Sequence, residues 1–90
     1  MSQAIVDPNE LRRFARNLKT FNTELQDRIS TLGNQLTSLG VTWRDQEQKK
    51  FVEEFEHHMR AIARFVEAGN QHIPYLLRKA ERIDEYLQQR

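Results

Sequence analysis

The sequence predicts an all-α fold: an antiparallel two-helix hairpin that dimerises into a four-helix bundle. Three observations carry this expectation. Apolar residues recur at steps of three and four along two long segments, one glycine-bearing break separates them, and the 90-residue chain holds only 3 glycines and 2 prolines with which to make any other turn.

The first helix is expected over about residues 8–39. Asp7-Pro8-Asn9-Glu10 sets a capping carboxylate before a proline at the first helical position and an acid in the first turn, which together satisfy the free N–H groups there. Leu11, Phe14, Leu18, Phe21, Leu25, Ile29, Leu32, Leu36 and Leu39 then recur with a mean step of about 3.5, a long apolar seam. Gly40 is placed to close this helix in the left-handed conformation. The turn is expected over about 40–42. Thr42-Trp43-Arg44-Asp45 reads as a capping box that opens the second helix, over about 43–88.

The second seam runs through Phe51, Phe55, Met59, Ile62, Val66, Gly69, Ile73, Leu76, Ala80, Ile83 and Leu87. Gly69-Asn70 and Pro74 weaken the helix midway, but the seam keeps its phase across them, so one helix with a kink near Pro74 is expected. Each arm would be roughly 45 Å long at the α-helical rise. Two such rods joined by a short turn must lie antiparallel. Each covers the other from one side only, which leaves Ala15, Val52, Ala63, Phe65, Leu77 and Tyr86 in water and calls for a second hairpin. Leu18, Phe21, Leu25, Ile29, Leu32, Phe55, Met59, Ile62, Val66 and Ile73 are the candidate core and dimer seam.

Composition bounds the function. At 38% apolar and 30% charged residues, residues 1–90 make a single small domain. With no cysteine, disulfides and thiolate-metal sites are excluded. A net charge of +1 lacks the basic excess of a nucleic-acid footprint and points to protein partners. No apolar run is long enough for a membrane span, and MSQAIVDPNE lacks the features of a signal peptide, so synthesis in the cytoplasm without one is expected.

The densest polar cluster is Glu53, Glu54, Glu56, His57 and His58. Glu54 and His57 have the Glu-x-x-His spacing of di-iron bundles, yet they flank Phe55 on the solvent side, and helix one offers only Glu24 and Asp27 at that height. A solvated face is the expectation, with no metal and no cofactor. His58 fits a core edge, and His72 has no acid, nucleophile or second histidine at useful spacing. Arg12, Arg13, Arg16 and Lys19, with Arg60 and Arg64 near in an antiparallel pairing, make a basic face interleaved with Glu10, Glu24 and Glu67. No catalytic triad or phosphate loop is present, so no enzymatic activity is expected.

Trp43-Arg44-Asp45 follows some forty residues of seamed helix, and Phe51 stands eight positions after the tryptophan. This arrangement resembles the WXG family, the small helical hairpins of the early secreted antigenic target type, and the resemblance covers nearly the whole chain. It implies a homodimer, or a heterodimer with a paralogous hairpin, forming a four-helix bundle. It also implies export by a type VII (ESX) secretion system, with a secretion ATPase or a larger effector as further partners. Asp45 stands where the family motif has glycine. Tyr75 and Tyr86 are followed four residues later by Lys79 and Arg90, not by the acid of the family's C-terminal export signal. Export would then draw on a partner chain's signal, or the chain would act inside the cell. Thr42, Trp43, Arg44, Asp45 and Phe51 at the hairpin tip are the candidate partner-binding residues. Trp43 lies about 80° off the seam marked by Phe51, which suits either a lid over the end of the core or a binding anchor. A cytosolic helical adaptor or chaperone not involved in secretion is the alternative reading.

Overall fold

The computed structural model describes residues 6–88. The reading of the first residues as lacking a signal peptide, and Arg90 in the Tyr86 spacing, lie in part or wholly outside them. Helix α1 spans Pro8–Leu39 and helix α2 spans Gln46–Gln88. They lie side by side as a hairpin with principal extents of 69 × 23 × 16 Å.

Helix α1 begins where its local chemistry directs. Asp7 keeps an extended backbone and its carboxylate accepts from the Asn9 N–H at 2.9 Å, while Pro8 fills the first helical position without loss of a bonded donor. The other end corrects an expectation. Gly40 is right-handed, at φ −63° and ψ −14°, not left-handed. The chain tightens there instead: Gly40 N–H donates to Leu36 and Thr37, Val41 to Ser38, and both Thr42 and Trp43 to Leu39. Glycine serves close approach at this point, since a Cβ would sit 3.2 Å from the Thr37 carbonyl oxygen.

Helix α2 starts at Gln46, three residues later than the capping-box reading places it. Thr42 is occupied in closing α1, its hydroxyl donating to the Leu39 carbonyl at 3.4 Å. Asp45 is itself the cap: its carboxylate accepts from the Gln48 N–H at 2.9 Å. The connection therefore covers residues 40–45. Across Pro74, α2 continues without interruption.

The core is built on small residues. Ala15, Val66 and Ala80 are 1%, 1% and 0% exposed, and Gly69 is also buried. Between them lies Asn22, the one buried polar side chain among the described residues. This overturns part of the seam. Ala15, expected in water, is a core residue and Val52 is half-buried, whereas Phe14, Phe21, Leu32 and Leu39 are about half exposed. The cause is packing. Small side chains at the contact let the two backbones approach closely, so α1 turns Ala15 and Asn22 toward α2 and its phenylalanines to the side. At the open end, Arg12 pairs with Asp84 and also donates to Asn9 Oδ1.

Candidate functional site

The hairpin tip carries a run of aromatic rings. Trp43 is held by the bond from its N–H to the Leu39 carbonyl, 2.9 Å, and is half-buried because its indole leans on Phe51 with ring centroids 5.8 Å apart. Phe51 in turn stacks on Phe55 at 5.8 Å. Phe51 stays 43% exposed, and Leu39 and Val41 beside it are also open to solvent. Thr42, Arg44 and Asp45 are exposed around this ladder. The structure thus brings Trp43 and Phe51 together and keeps an apolar surface at the tip. An exposed apolar surface rimmed by polar groups is what a protein-binding patch requires.

That surface continues down the rod. Leu32, Gln35, Leu36, Leu39, Phe51 and Phe55 line a shallow cleft of about 180 Å³ between the helices. Beyond it, Phe21 and Phe65 meet edge to face with centroids 6.4 Å apart, so the exposed ridges of α1 and α2 look to the same side. Of the expected seam, Leu18, Leu25, Ile29, Phe55, Met59, Ile62 and Ile73 are half-buried, Val66 is buried, and Phe21 and Leu32 belong to this exposed stripe.

Sequence reasoning missed the centre of the hairpin contact. Asn22 Nδ2 donates to the Val66 carbonyl at 3.4 Å and to Asn70 Oδ1 at 3.1 Å, while Asn22 Oδ1 is buried without a partner. The available signal was spacing. Asn22 stands seven residues after Ala15 and seven before Ile29, in the column that faces α2.

The polar clusters lie open to solvent. Glu53, Glu54, Glu56, His57 and His58 are all exposed, and the two histidine rings lie 5.6 Å apart. Among the described residues no three His, Asp or Glu side chains are grouped to hold a metal ion. Arg13, Arg16 and Lys19 are exposed, with Arg12 turned to Asp84. Among the described residues no helix is long and apolar enough to cross a membrane.

No curated protein matches the chain in sequence. Among solved structures, the hairpin is similar to the secreted protein EsxB of Bacillus anthracis strain Sterne, at 28% identity and a TM-score of 0.77 over 96% of this chain and 98% of that one. A proline-to-alanine variant of EsxB aligns with a TM-score of 0.80 over 94% and 96% of the two chains, again at 28% identity. The model for proteins of 100 residues with WXG matches residues 3–86, nearly the full length of the hairpin with Trp43 at its tip, and the chain belongs to this WXG100 family.

Proposed function

We propose that this chain is a non-enzymatic interaction module of a type VII (ESX-like) secretion system, working as one half of a four-helix bundle, either as an exported protein or as the partner that accompanies one. The observation that carries the reading is the Trp43–Phe51–Phe55 ladder at the tip, half-buried at Trp43 and Phe55 and open to solvent at Phe51, in a chain of WXG100 type that is similar to a secreted protein. Half-exposed aromatic side chains on a rigid turn lose little conformational entropy on binding and contribute strongly when a partner covers them. Trp43 and Phe51 are the proposed anchors, with Thr42, Arg44 and Asp45 as the polar rim and a secretion ATPase or larger effector as the partner.

A cytosolic adaptor or chaperone is the second reading. It is favoured by Asp45 in the glycine position of the motif and by Lys79, in place of an acid, four residues after Tyr75.

The experiment compares Trp43→Ala with Leu25→Ala in an export assay together with denaturant melts. For an anchor, Trp43→Ala costs no more than about 1–2 kcal/mol of stability and abolishes export or partner capture, while Leu25→Ala acts through stability. A Trp43→Ala protein that is stable and exported normally overturns the tip as the binding site. Wild-type protein that stays in the cytoplasm of its native host favours the adaptor.

A further inference from the structure

Helix α2 carries its weak points together, just past its middle. Gly69, Asn70 and Pro74 fall within one and a half turns of each other. Glycine has the lowest helix propensity of any residue but proline. Pro74 has no N–H to offer the Asn70 carbonyl four residues before it, and its ring crowds that oxygen. The Asn70 side chain is drawn across the hairpin, its Oδ1 accepting from Asn22 Nδ2 at 3.1 Å. Helix α1 has nothing comparable on its side, since between Asn9 and Leu32 it holds no glycine and no proline.

The two sides of this joint are held unequally. Toward the tip, α2 is pinned: Val66 and Gly69 are buried, Asn22 bonds the Val66 carbonyl as well as Asn70, and Phe55, Met59 and Ile62 are half-buried. Away from the tip, residues 75–88 offer α1 much less. Ala80 is the one buried residue among them, and alanine has little apolar area to contribute. Leu76, Ile83 and Asp84 are half-buried, while Tyr75, Leu77, Tyr86 and Leu87 are open to solvent. The ion pair of Asp84 with Arg12 is accessible enough to be screened.

We infer that residues 69–74 are a hinge and that residues 75–88 lift from α1 as one unit, with Arg12–Asp84 as the clasp, while the tip and the Asn22 contact stay assembled. Opening at Pro74 breaks no backbone bond from that residue to Asn70, because proline cannot make one. It parts the end of the core where Ala15 and Ala80 lie and leaves the part around Val66 intact. An uninterrupted helix frays progressively from its end, whereas a joint gives the opening a fixed boundary. The lifted arm bares Leu76, Ala80 and Ile83, spaced by four and three residues along one side, so it leaves as an amphipathic segment able to repack. The inference is independent of the export reading.

Native-state amide hydrogen exchange of the purified full-length chain, read residue by residue in low denaturant, tests it. The amides of residues 75–88 share one opening constant, at least about tenfold larger than that at Ile62 and Val66, with a step at Pro74 and a weak dependence on denaturant. Pro74→Ala restores the missing N–H and slows exchange in 75–88 at least about tenfold relative to Val66. A second variant, Arg12→Cys with Asp84→Cys in a chain that has no other cysteine, is joined by a short bismaleimide. Exchange in 75–88 then falls to the rate at Val66, whereas the same two thiols capped singly leave the step in place. Protection that fades evenly inward from Gln88, with no step at Pro74, is end fraying and overturns the hinge. Exchange of 75–88 at the rate and denaturant dependence of Val66 overturns it too, since the arm would then open only with the whole hairpin. A step that Pro74→Ala leaves unchanged removes this residue as the joint.

Discussion

Asn22 and Gly69 approach so closely that a Cβ added to Gly69 would lie 2.7 Å from Asn22 Nδ2 and 3.6 Å from its Cγ and Oδ1. This contact sets how α1 sits on α2. It is the one place in the middle of the hairpin where a buried polar side chain bonds the opposite helix, and the missing side chain at Gly69 makes room for it.

Gly69→Ala is therefore destabilising despite the roughly 1 kcal/mol that alanine adds in a helix interior. The new methyl displaces the Asn22 amide from the Val66 carbonyl and Asn70 Oδ1, and unpaired buried polar groups cost about 1–3 kcal/mol each. The expected net loss is about 1–2 kcal/mol, a fall in Tm of roughly 4–8 °C for each kcal/mol in a domain of this size. In an Asn22→Ala background the obstacle is gone, and the same Gly69→Ala substitution becomes neutral to stabilising. A double-mutant cycle from denaturant melts reads the reversal of sign.

Val66 and Phe65 are neighbours with separate jobs. Val66 is buried between the helices of one hairpin, whereas Phe65 is 53% exposed on the stripe. Val66→Ala is expected to cost about 2 kcal/mol and to leave melts as dependent on protein concentration as in the wild type. Phe65→Ala should change the hairpin by less than about 1 kcal/mol but remove most of that concentration dependence, because it weakens association. Thermal melts across a hundredfold range of concentration distinguish the two.

The hairpin is legible in the sequence because it depends on local signals: the Asp7-Pro8 cap, two unbroken seams and a single break at Gly40. The rotation of each helix about its axis is not. Phe14 and Ala15 both belong to columns that repeat with the apolar period, and only the pairing of residues about fifty positions apart, Asn22 with Gly69 and Asn70, decides which of the two points inward. The tip shows the same division. Trp43 and Phe51 stand out by residue type and spacing. Thr42, however, forms a good local cap motif with Asp45 and still does not cap α2, because the last turn of α1 already holds it.

At the open end, Arg12 and Asp84 form the ion pair that spans the two helices, with side chains 31% and 37% exposed. A pair this accessible is screened, so Asp84→Asn is expected to lower global stability by less than about 1 kcal/mol at low salt, and by less still in 1 M salt. Its effect should be local. Amide hydrogen exchange in the last turns of α2 is expected to speed up while the Asn22–Val66 region keeps its protection, since terminal turns open independently of the core.

Asp45 departs from the family's glycine, and its bond to the Gln48 N–H at 2.9 Å supplies a physical reason for an acid at this position. The carboxylate satisfies a free donor at the start of α2 and lies favourably at the positive end of the helix dipole. Asp45→Ala is expected to cost about 1 kcal/mol, near the middle of the range for losing an N-cap, whereas Asp45→Gly should cost only a few tenths, since glycine lets water reach the same N–H groups. Asp45→Asn keeps the acceptor and loses the charge, so it should fall between wild type and alanine, with a deficit that shrinks as salt screens the dipole term. Melts of the three variants at low and high ionic strength test the order. If Asp45→Gly proves more destabilising than Asp45→Ala, capping is not what the aspartate does. If instead the order holds and Asp45→Gly leaves partner capture through Trp43 unchanged, then Asp45 shapes the start of α2 and the aromatic ladder alone makes the contact at the tip.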